Sequence, residues 1–156
     1  MTEVRFYHLT EAPLERALPV MLIRTLERGQ RAVVRGGHAE RLGFLNGLLW
    51  TGGGTGFLPH GMEGDPDPAH HPVWLTTKDD TPNGANTLFL IDGATASTEE
   101  MQARSVTAIL FDGHDPAAVD AARDQWREVA AANLTAVYWA QTSTGGWEKK
   151  AENAAS

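Results

Sequence analysis

Hydrophobic and polar residues along this chain form short strand-like runs that alternate with longer segments of helical spacing. Alternating or continuous apolar runs predict six strands, namely Glu3–Leu9, Arg31–Arg35, Val73–Thr76, Thr87–Ile91, Ser105–Phe111 and Thr135–Gln141. Apolar residues at helical spacing predict three helices, one from Pro13 to a stop at Gly29, one over His38–Trp50 and one over Pro116–Ala132. Pro19 lies inside the first helix, so we expect a kink or a late start there.

This order of elements is typical of an α/β fold. We expect a single Rossmann-like domain over residues 1–142, with a mostly parallel, doubly wound sheet flanked by helices. The connections 51–56 and 61–72 are rich in glycine or in proline and acidic residues, so both are predicted to be loops. A polar C-terminal tail, residues 143–156, is predicted to fray.

Charge and composition narrow the classes of function. The chain has 13 Lys and Arg against 20 Asp and Glu, a formal net charge of −7. Proteins that bind duplex DNA through its phosphates normally carry a basic patch, so we expect DNA to be reached through a partner protein. Cysteine is absent, which excludes disulfides, thiolate zinc sites and cysteine nucleophiles. No apolar run is long enough to span a membrane, and the acidic N-terminus does not resemble a signal peptide; we expect a cytoplasmic protein.

The glycine-rich segment TGGGTG, residues 51–56, raises the question of a nucleotide site. A dinucleotide fingerprint needs G-x-G-x-x-G directly after a strand. Here the glycines follow a predicted helix, and Phe57 stands where the third glycine should be. The Gly-Lys-Ser/Thr triplet of a P-loop is also missing. We therefore expect a fold without a nucleotide-binding motif and without a cofactor.

The segment from His60 to His71 contains histidines and carboxylates, which are metal-binding residue types. Two of its histidines are adjacent in sequence, and no spacing places several ligands on one helical face. No G-x-S-x-G motif is present either. We therefore predict a solvated loop, no metal and no catalytic residue. A small metal-dependent hydrolase that uses this loop remains an alternative hypothesis.

The last predicted helix carries an aromatic residue between two arginines. Arg123 and Arg127 are four residues apart on one side of Trp126, beside a predicted buried stripe that also contains Val119, Ala122 and Val129. Such a surface can bind an acidic peptide that ends in an apolar residue. Alternatively, Trp126 is a residue at the edge of the core, and the arginines pair with acidic residues of their own helix, Asp120, Asp124 and Glu128. Spacing alone favours this second interpretation.

Seven segments, taken in their order and spacing, resemble the chi subunit of the bacterial DNA polymerase III holoenzyme. They are VRFYHL, ERALPVMLIRTLERGQRAVV, LLW, FLPHG, HPVWLTT, NTLFLIDG and RDQWREVAAANLTAVYW. The resemblance covers about 140 residues. It implies a Rossmann-like fold without a nucleotide site, in agreement with the failed glycine fingerprint.

The resemblance also implies a noncatalytic accessory subunit in DNA replication, so that any nucleotidyltransferase activity belongs to the polymerase complex. The implied partners are the acidic C-terminal tail of single-stranded DNA-binding protein and the psi subunit of the clamp-loader complex, with DNA contacted indirectly. By position, the tail-binding residues are Arg123, Trp126 and Arg127, and the psi-binding residues are Trp50 and Phe57. Direct binding of single-stranded nucleic acid by exposed tryptophans is a further alternative, which the negative charge opposes.

Overall fold

The computed structural model describes residues 2–51 and 58–153. The strands in these residues are β1 Glu3–Leu9, β2 Ala32–Gly36, β3 Gly61–Met62, β4 Val73–Thr76, β5 Thr87–Ile91, β6 Val106–Asp112, β7 Thr135–Gln141 and β8 Trp147–Asn153. The α-helices are α1 Leu14–Glu27, α2 Ala39–Trp50, α3 Thr98–Gln102 and α4 Pro116–Ala131. All six predicted strands and all three predicted helices are present, with ends that shift by a residue or two.

The strands form one sheet in the order β3-β4-β2-β5-β6-β1-β7-β8. Every neighbouring pair is parallel except β7 and β8, which are antiparallel. The sheet carries helices on both faces, because α1 and α2 pack into one apolar cluster while α3 and α4 pack into another. The prediction of an α/β domain with a mostly parallel, helix-flanked sheet is confirmed.

Alternate residues of the central strands supply the two clusters. In β5, Phe89 points into the α1–α2 cluster, whereas Leu88 and Leu90 point into the α3–α4 cluster. This alternation follows from the two-residue repeat of a strand. Because both faces are covered, all five residues of β5 are buried, which explains why the strand is a continuous apolar run.

Helix α1 begins ahead of Pro19, so the late start that we considered does not occur. The helix runs from Leu14, and Pro19 is buried inside it. The helix ends before Gly29, whose φ of +75° is a left-handed conformation that favours glycine. The amide of Gly29 donates to the carbonyl of Leu26 at 2.9 Å, so Gly29 stops the helix as predicted.

Three further elements differ from the sequence-based predictions. The segment 61–72 is not wholly a loop, because β3 pairs with β4 and residues Pro68–His70 form a 3-10 turn. Helix α3 was not predicted; the Ser97 hydroxyl accepts from the amide of Glu100 and caps it. The predicted fraying of the tail is wrong for Trp147–Asn153, which pairs with β7. This strand lies at the sheet edge and is mostly exposed, so its polar sequence is compatible with pairing.

No helix in the described part of the chain has the length and apolar character needed to cross a membrane.

Candidate partner-binding surfaces

Helix α4 is fixed at its first turn and along its inner side. Asp115 precedes it, and its carboxylate accepts from the amide of Ala117 at 3.0 Å. Pro116 occupies the first turn, where no amide donor is needed. Ala122 and Val129 are buried in the α3–α4 cluster. Val119 and Trp126 pack against the same cluster but are only partly buried, so the predicted stripe is correct and two of its members reach the surface.

Trp126 stands at the boundary between this cluster and solvent. Its ring centroid lies 5.3 Å from that of Phe6 and 6.1 Å from that of Tyr138. Both separations are typical of tilted or edge-to-face aromatic pairs. Part of the indole is therefore anchored by β1 and β7, and the remainder is available on the outer side of α4.

Arg123 and Arg127 lie beside Trp126 with their side chains largely in solvent, 68% and 73% exposed. Arg127 Nη1 lies 2.8 Å from Asp124 Oδ1, and Arg123 Nη1 lies 3.9 Å from Asp120 Oδ1. The ion pairs of the alternative interpretation are thus present for these two aspartates. They are exposed pairs within one helix, which contribute only about 0–1 kcal/mol each, so the guanidinium groups can exchange partners.

One residue that the sequence did not indicate, Tyr138, extends this surface. The hydroxyl of Tyr138 is hydrogen bonded to His8 Nδ1 at 2.8 Å, and the His8 ring stacks on Phe111 with centroids 5.1 Å apart. Burial raises the pKa of Tyr138, while the positive charge of Arg123 acts to lower it. We call Arg123, Trp126, Arg127 and Tyr138 the α4 surface. Tyr138 could not be assigned to it from sequence, because the assignment requires knowing that β7 lies next to β1.

A second surface lies on α2. Trp50, at the end of this helix, is 52% exposed, and its ring centroid is 4.4 Å from that of the buried His60. Phe44 is 56% exposed, with the Arg41 guanidinium 5.8 Å from its ring centroid. We call Phe44 and Trp50 the α2 surface. The predicted exposure of Trp50 is confirmed, Phe44 was not singled out from the sequence, and Phe57 lies outside the described residues.

Gly47 lies between these two aromatic residues around the helix. At 100° per residue, Gly47 is about 60° from Phe44 on one side and about 60° from Trp50 on the other. Gly47 is exposed, and apart from the backbone of its own helix no described residue has an atom within 4 Å of the position that a Cβ would take. A partner can therefore approach the backbone of α2 closely between the two rings.

The side chains of the His60–His71 segment are engaged in the local structure. His60 Nδ1 lies 2.8 Å from the carbonyl oxygen of Leu58, and its Nε2 lies 3.0 Å from Asn46 Oδ1. The Asp65 carboxylate accepts from the amide of Met62 at 2.8 Å. Among the residues that the structure describes, no three His, Asp or Glu side chains are grouped to hold a metal ion. These contacts give no support to a hydrolase built on this segment.

The crevice at the carboxyl ends of β1, β5 and β6 is where doubly wound folds bind nucleotides. Here it has a volume of about 830 Å³, and Arg41, which lines it, is paired with Glu15 and Asp92. Its other carboxylates are those of Glu11, Asp112 and Asp115. An acidic lining repels phosphate groups, so the electrostatics agree with the missing glycine fingerprint.

Comparison with known proteins identifies the family of this chain. The sequence profile of the family described as DNA polymerase III chi subunit, HolC, matches residues 1–136. The chain belongs to the chi-subunit family of DNA polymerase III. A probable DNA polymerase III subunit chi of Rickettsia prowazekii (strain Madrid E) is 28% identical over 91 residues. That alignment covers 58% of this chain and 55% of the relative, so it spans just over half of each protein.

The chi-family match contains the α2 surface and the three α4-surface residues that lie on the helix, and it ends before Tyr138. It includes all of α2 and α4 and ends inside β7. Strand β8 lies beyond it. Family membership therefore assigns this protein to DNA replication, and β8 is a feature that the family match does not account for.

Proposed function

We propose that this chi-family protein is a noncatalytic accessory subunit that links the clamp-loader complex to single-stranded DNA-binding protein. The α4 surface would bind the acidic C-terminal tail of that protein, and the α2 surface would bind the psi subunit. The observation that carries the proposal is the arrangement on α4, where a half-buried indole is flanked by two exposed guanidinium groups.

The chemistry of the tail is complementary to the α4 surface. Guanidinium groups bind carboxylates in a bidentate manner, and Trp126 and Tyr138 offer an apolar wall for the apolar residue expected at the end of the tail. Asp120 and Asp124 compete for the same arginines, and both repel an acidic peptide. The expected affinity is therefore modest, with a free energy of about −7 to −8 kcal/mol, which corresponds to a micromolar Kd.

Calorimetry with a synthetic tail peptide tests this assignment. Arg123→Gln and Arg127→Gln are each expected to weaken binding by about 0.5–1.5 kcal/mol without affecting folding, because both side chains are exposed. Raising the salt concentration from 50 to 300 mM is also expected to weaken binding, since exposed charges are screened over about 10 Å or less.

Arg16→Gln is the matched control for these variants. Arg16 is an exposed arginine on α1, on the opposite face of the sheet, and its replacement changes the net charge by the same amount. We expect this variant to bind the peptide like the parent protein. Equal affinities for the parent and both α4 variants would place the tail site elsewhere.

The α2 surface supports the proposed psi contact. Exposed aromatic side chains are enriched at the centres of protein–protein interfaces, and Phe44 and Trp50 are two of the three large apolar side chains that are exposed in the described residues. Phe57 follows α2 closely in sequence and remains part of the proposed contact. Together these residues would anchor an apolar segment of psi.

The proposal also states that the isolated chain has no catalytic activity. The crevice at the carboxyl ends of the strands is lined by carboxylates, and Arg41 in it is already paired with Glu15 and Asp92. This lining disfavours the binding of a nucleoside triphosphate. Purified protein is expected to give no primer extension, and template-dependent extension by the chain alone would overturn this part of the proposal.

A further inference from the structure

A cavity of about 260 Å³ lies between the C-terminal half of α1 and the sheet. Its wall on the sheet side comes from three adjacent strands. The apolar part is formed by Tyr7 from β1, Phe89 from β5 and Ala108 from β6, and the polar part includes Arg5 and Thr87. Met21 of α1 completes the apolar lining on the opposite side. The cavity is on the opposite face of the sheet from the α4 surface.

Trp147, the first residue of β8, forms a further wall. Its ring centroid lies 5.0 Å from that of Tyr7, with the two planes at 74°, a favourable edge-to-face geometry. Trp147 lies outside the residues 1–136 that match the chi family. Part of the cavity wall is therefore formed by a segment that the family match does not include.

Three arginines line the same cavity. Arg5 is paired with Glu3, whereas Arg24 and Arg28, one turn apart at the end of α1, have no ion pair with any described residue. Arg16, Arg31 and Arg104 likewise have no ion pair among the described residues, whereas Arg35, Arg41, Arg123 and Arg127 each lie within 4 Å of a carboxylate oxygen. Arg24 and Arg28 differ from the other unpaired arginines in that both line the cavity.

The charges of these arginines reach the interior of the cavity. Burial raises the pKa of the Tyr7 phenol, the positive charges of Arg5 and Arg28 act to lower it, and the carboxylate of Glu3, the partner of Arg5, acts to raise it. The phenol, which belongs to the apolar wall, therefore lies within the electrostatic field of the arginines at the mouth. An apolar pocket and a source of positive potential are adjacent.

We propose that this cavity binds a small organic anion, with its apolar body among Tyr7, Phe89 and Trp147 and its oxyanion held by Arg24 and Arg28. Small-molecule sites are concave, mostly apolar and provided with a few polar groups that fix orientation. The volume fits one aromatic ring with a short acidic arm. Carboxylates and phosphate monoesters share the oxyanion geometry that guanidinium groups recognise.

Four probes with one phenyl ring each test the proposed ligand chemistry. 3-Phenylpropionate and phenyl phosphate carry the oxyanion, 3-phenylpropanol is neutral, and 3-phenylpropylamine is cationic. Titration of the ¹⁵N-labelled full chain, followed by amide chemical shifts, gives a Kd for each probe. We expect at least one of the two anions to cause saturable shifts of the amide signals of Tyr7, Phe89 and Trp147. The ratio of the Kd values of 3-phenylpropionate and phenyl phosphate distinguishes a carboxylate ligand from a phosphate ligand. The alcohol should bind at least five-fold more weakly than the better of the two anions, and the amine should bind more weakly than the alcohol.

Charge variants on α1 test the roles of the arginines. The double variant Arg24→Gln, Arg28→Gln is expected to raise the Kd of the better anion at least ten-fold, because charge-assisted hydrogen bonds are the strong ones. Arg16→Gln, which removes an exposed arginine of the same helix outside the cavity, is expected to change the Kd less than two-fold. Melting temperatures of both variants, measured without ligand, separate a loss of folding from a loss of binding.

A second variant, Trp147→Ala, removes the wall without changing any charge. This variant is expected to weaken the binding of the anion and of the alcohol by the same factor, since both probes lose the same apolar contact. The proposal is overturned if neither anion shifts the cavity residues, if the alcohol binds as tightly as the acid, or if the double variant binds like Arg16→Gln. None of these outcomes affects the α4 surface, because its residues are not altered.

Discussion

Arg35 and Glu100 form an ion pair in which the guanidinium is almost completely buried. Arg35 Nη2 lies 2.8 Å from Glu100 Oε2, and Arg35 as a residue is only 4% exposed. The same guanidinium donates to the carbonyl oxygens of Lys78 and Thr95, each at 3.1 Å. This one side chain of β2 therefore holds α3 and the two connections that follow β4 and β5.

Replacing Glu100 by Gln is expected to lower the free energy of unfolding by about 2–4 kcal/mol at pH 7, because it leaves the buried guanidinium without its counter-charge. Urea unfolding measures this loss. Glu99→Gln, at the exposed neighbouring position of the same helix, is the control and should cost about 0.5 kcal/mol or less. Equal losses in the two variants would mean that the ion pair does not stabilise the fold.

The ion pair between Arg35 and Glu100 also predicts that the free energy of unfolding depends on pH. Burial acts to raise the pKa of Glu100, but the hydrogen bond from Arg35, the Ser97 amide and the charges of Arg35 and Arg104 lower it overall from 4.5. The folded state therefore favours the ionised carboxylate. Its contribution to stability is complete above pH 4.5 and is lost as the pH falls through the lowered value. The stability difference between the parent and Glu100→Gln should consequently shrink in acid, as urea unfolding at pH 3 and pH 7 can show.

Tyrosine titration provides a second check on the buried contacts. The chain contains two tyrosines, and burial is the largest cause that raises the pKa of both Tyr7 and Tyr138 above 10.0. Absorbance at the phenolate band should therefore rise only above pH 10 in the folded protein, and near pH 10 in strong denaturant. Because the folded state holds these protons more tightly, stability should fall as the pH rises beyond 10. A normal midpoint in the folded protein would contradict the burial of both phenols.

Trp126 is expected to affect both stability and tail binding. Trp126→Ala removes the contacts with Phe6 and Tyr138 and should cost about 2–3 kcal/mol of stability, less than a fully buried tryptophan. The same substitution should also weaken the binding of the tail peptide. Trp126→Phe is expected to recover much of both losses, since it keeps an aromatic ring at the same place. Thermal unfolding and calorimetry on the two variants measure these effects, and a stability loss with unchanged peptide affinity would assign Trp126 to the core alone.

Trp50→Ala and Phe44→Ala are expected to separate binding from folding. Both side chains are more than half exposed, so each substitution should cost about 1 kcal/mol of stability or less, while each weakens psi binding by more than about 1 kcal/mol. Val20→Ala, the third exposed large apolar position, is the control on α1. Phe57→Ala is expected to behave like Trp50→Ala. A large drop in melting temperature would show that these rings stabilise the fold.

Local sequence patterns predicted most elements of this fold but not the contacts between them. The hydrophobic runs of β5 and β6 reflect burial on both faces, and Asp115 and Pro116 mark the start of α4 through bonds made within a few residues. The neighbours of a strand are decided by the whole chain. For that reason the position of Tyr138 beside Trp126, and of β1 between β6 and β7, was not predictable from any short segment.

Two of the elements that sequence reasoning missed, α3 and β8, have a shared physical cause. Helix α3 has only five residues, too few for a helical repeat of apolar positions to appear. Strand β8 consists largely of charged and polar residues because it lies at the sheet edge, where one apolar anchor, Trp147, is sufficient. In both cases stabilisation comes from a cap or a neighbouring strand, and hydrophobic periodicity does not report it.

Strand β8 also affects how the protein behaves at high concentration. An uncovered sheet edge exposes unpaired amides and carbonyls that can bind a strand of another copy. Here β8 occupies that position with lysines and glutamates along its length, and the opposite edge, β3, has only two residues. Charged and very short edge strands both oppose strand addition. The sheet is thereby protected at each end against aggregation.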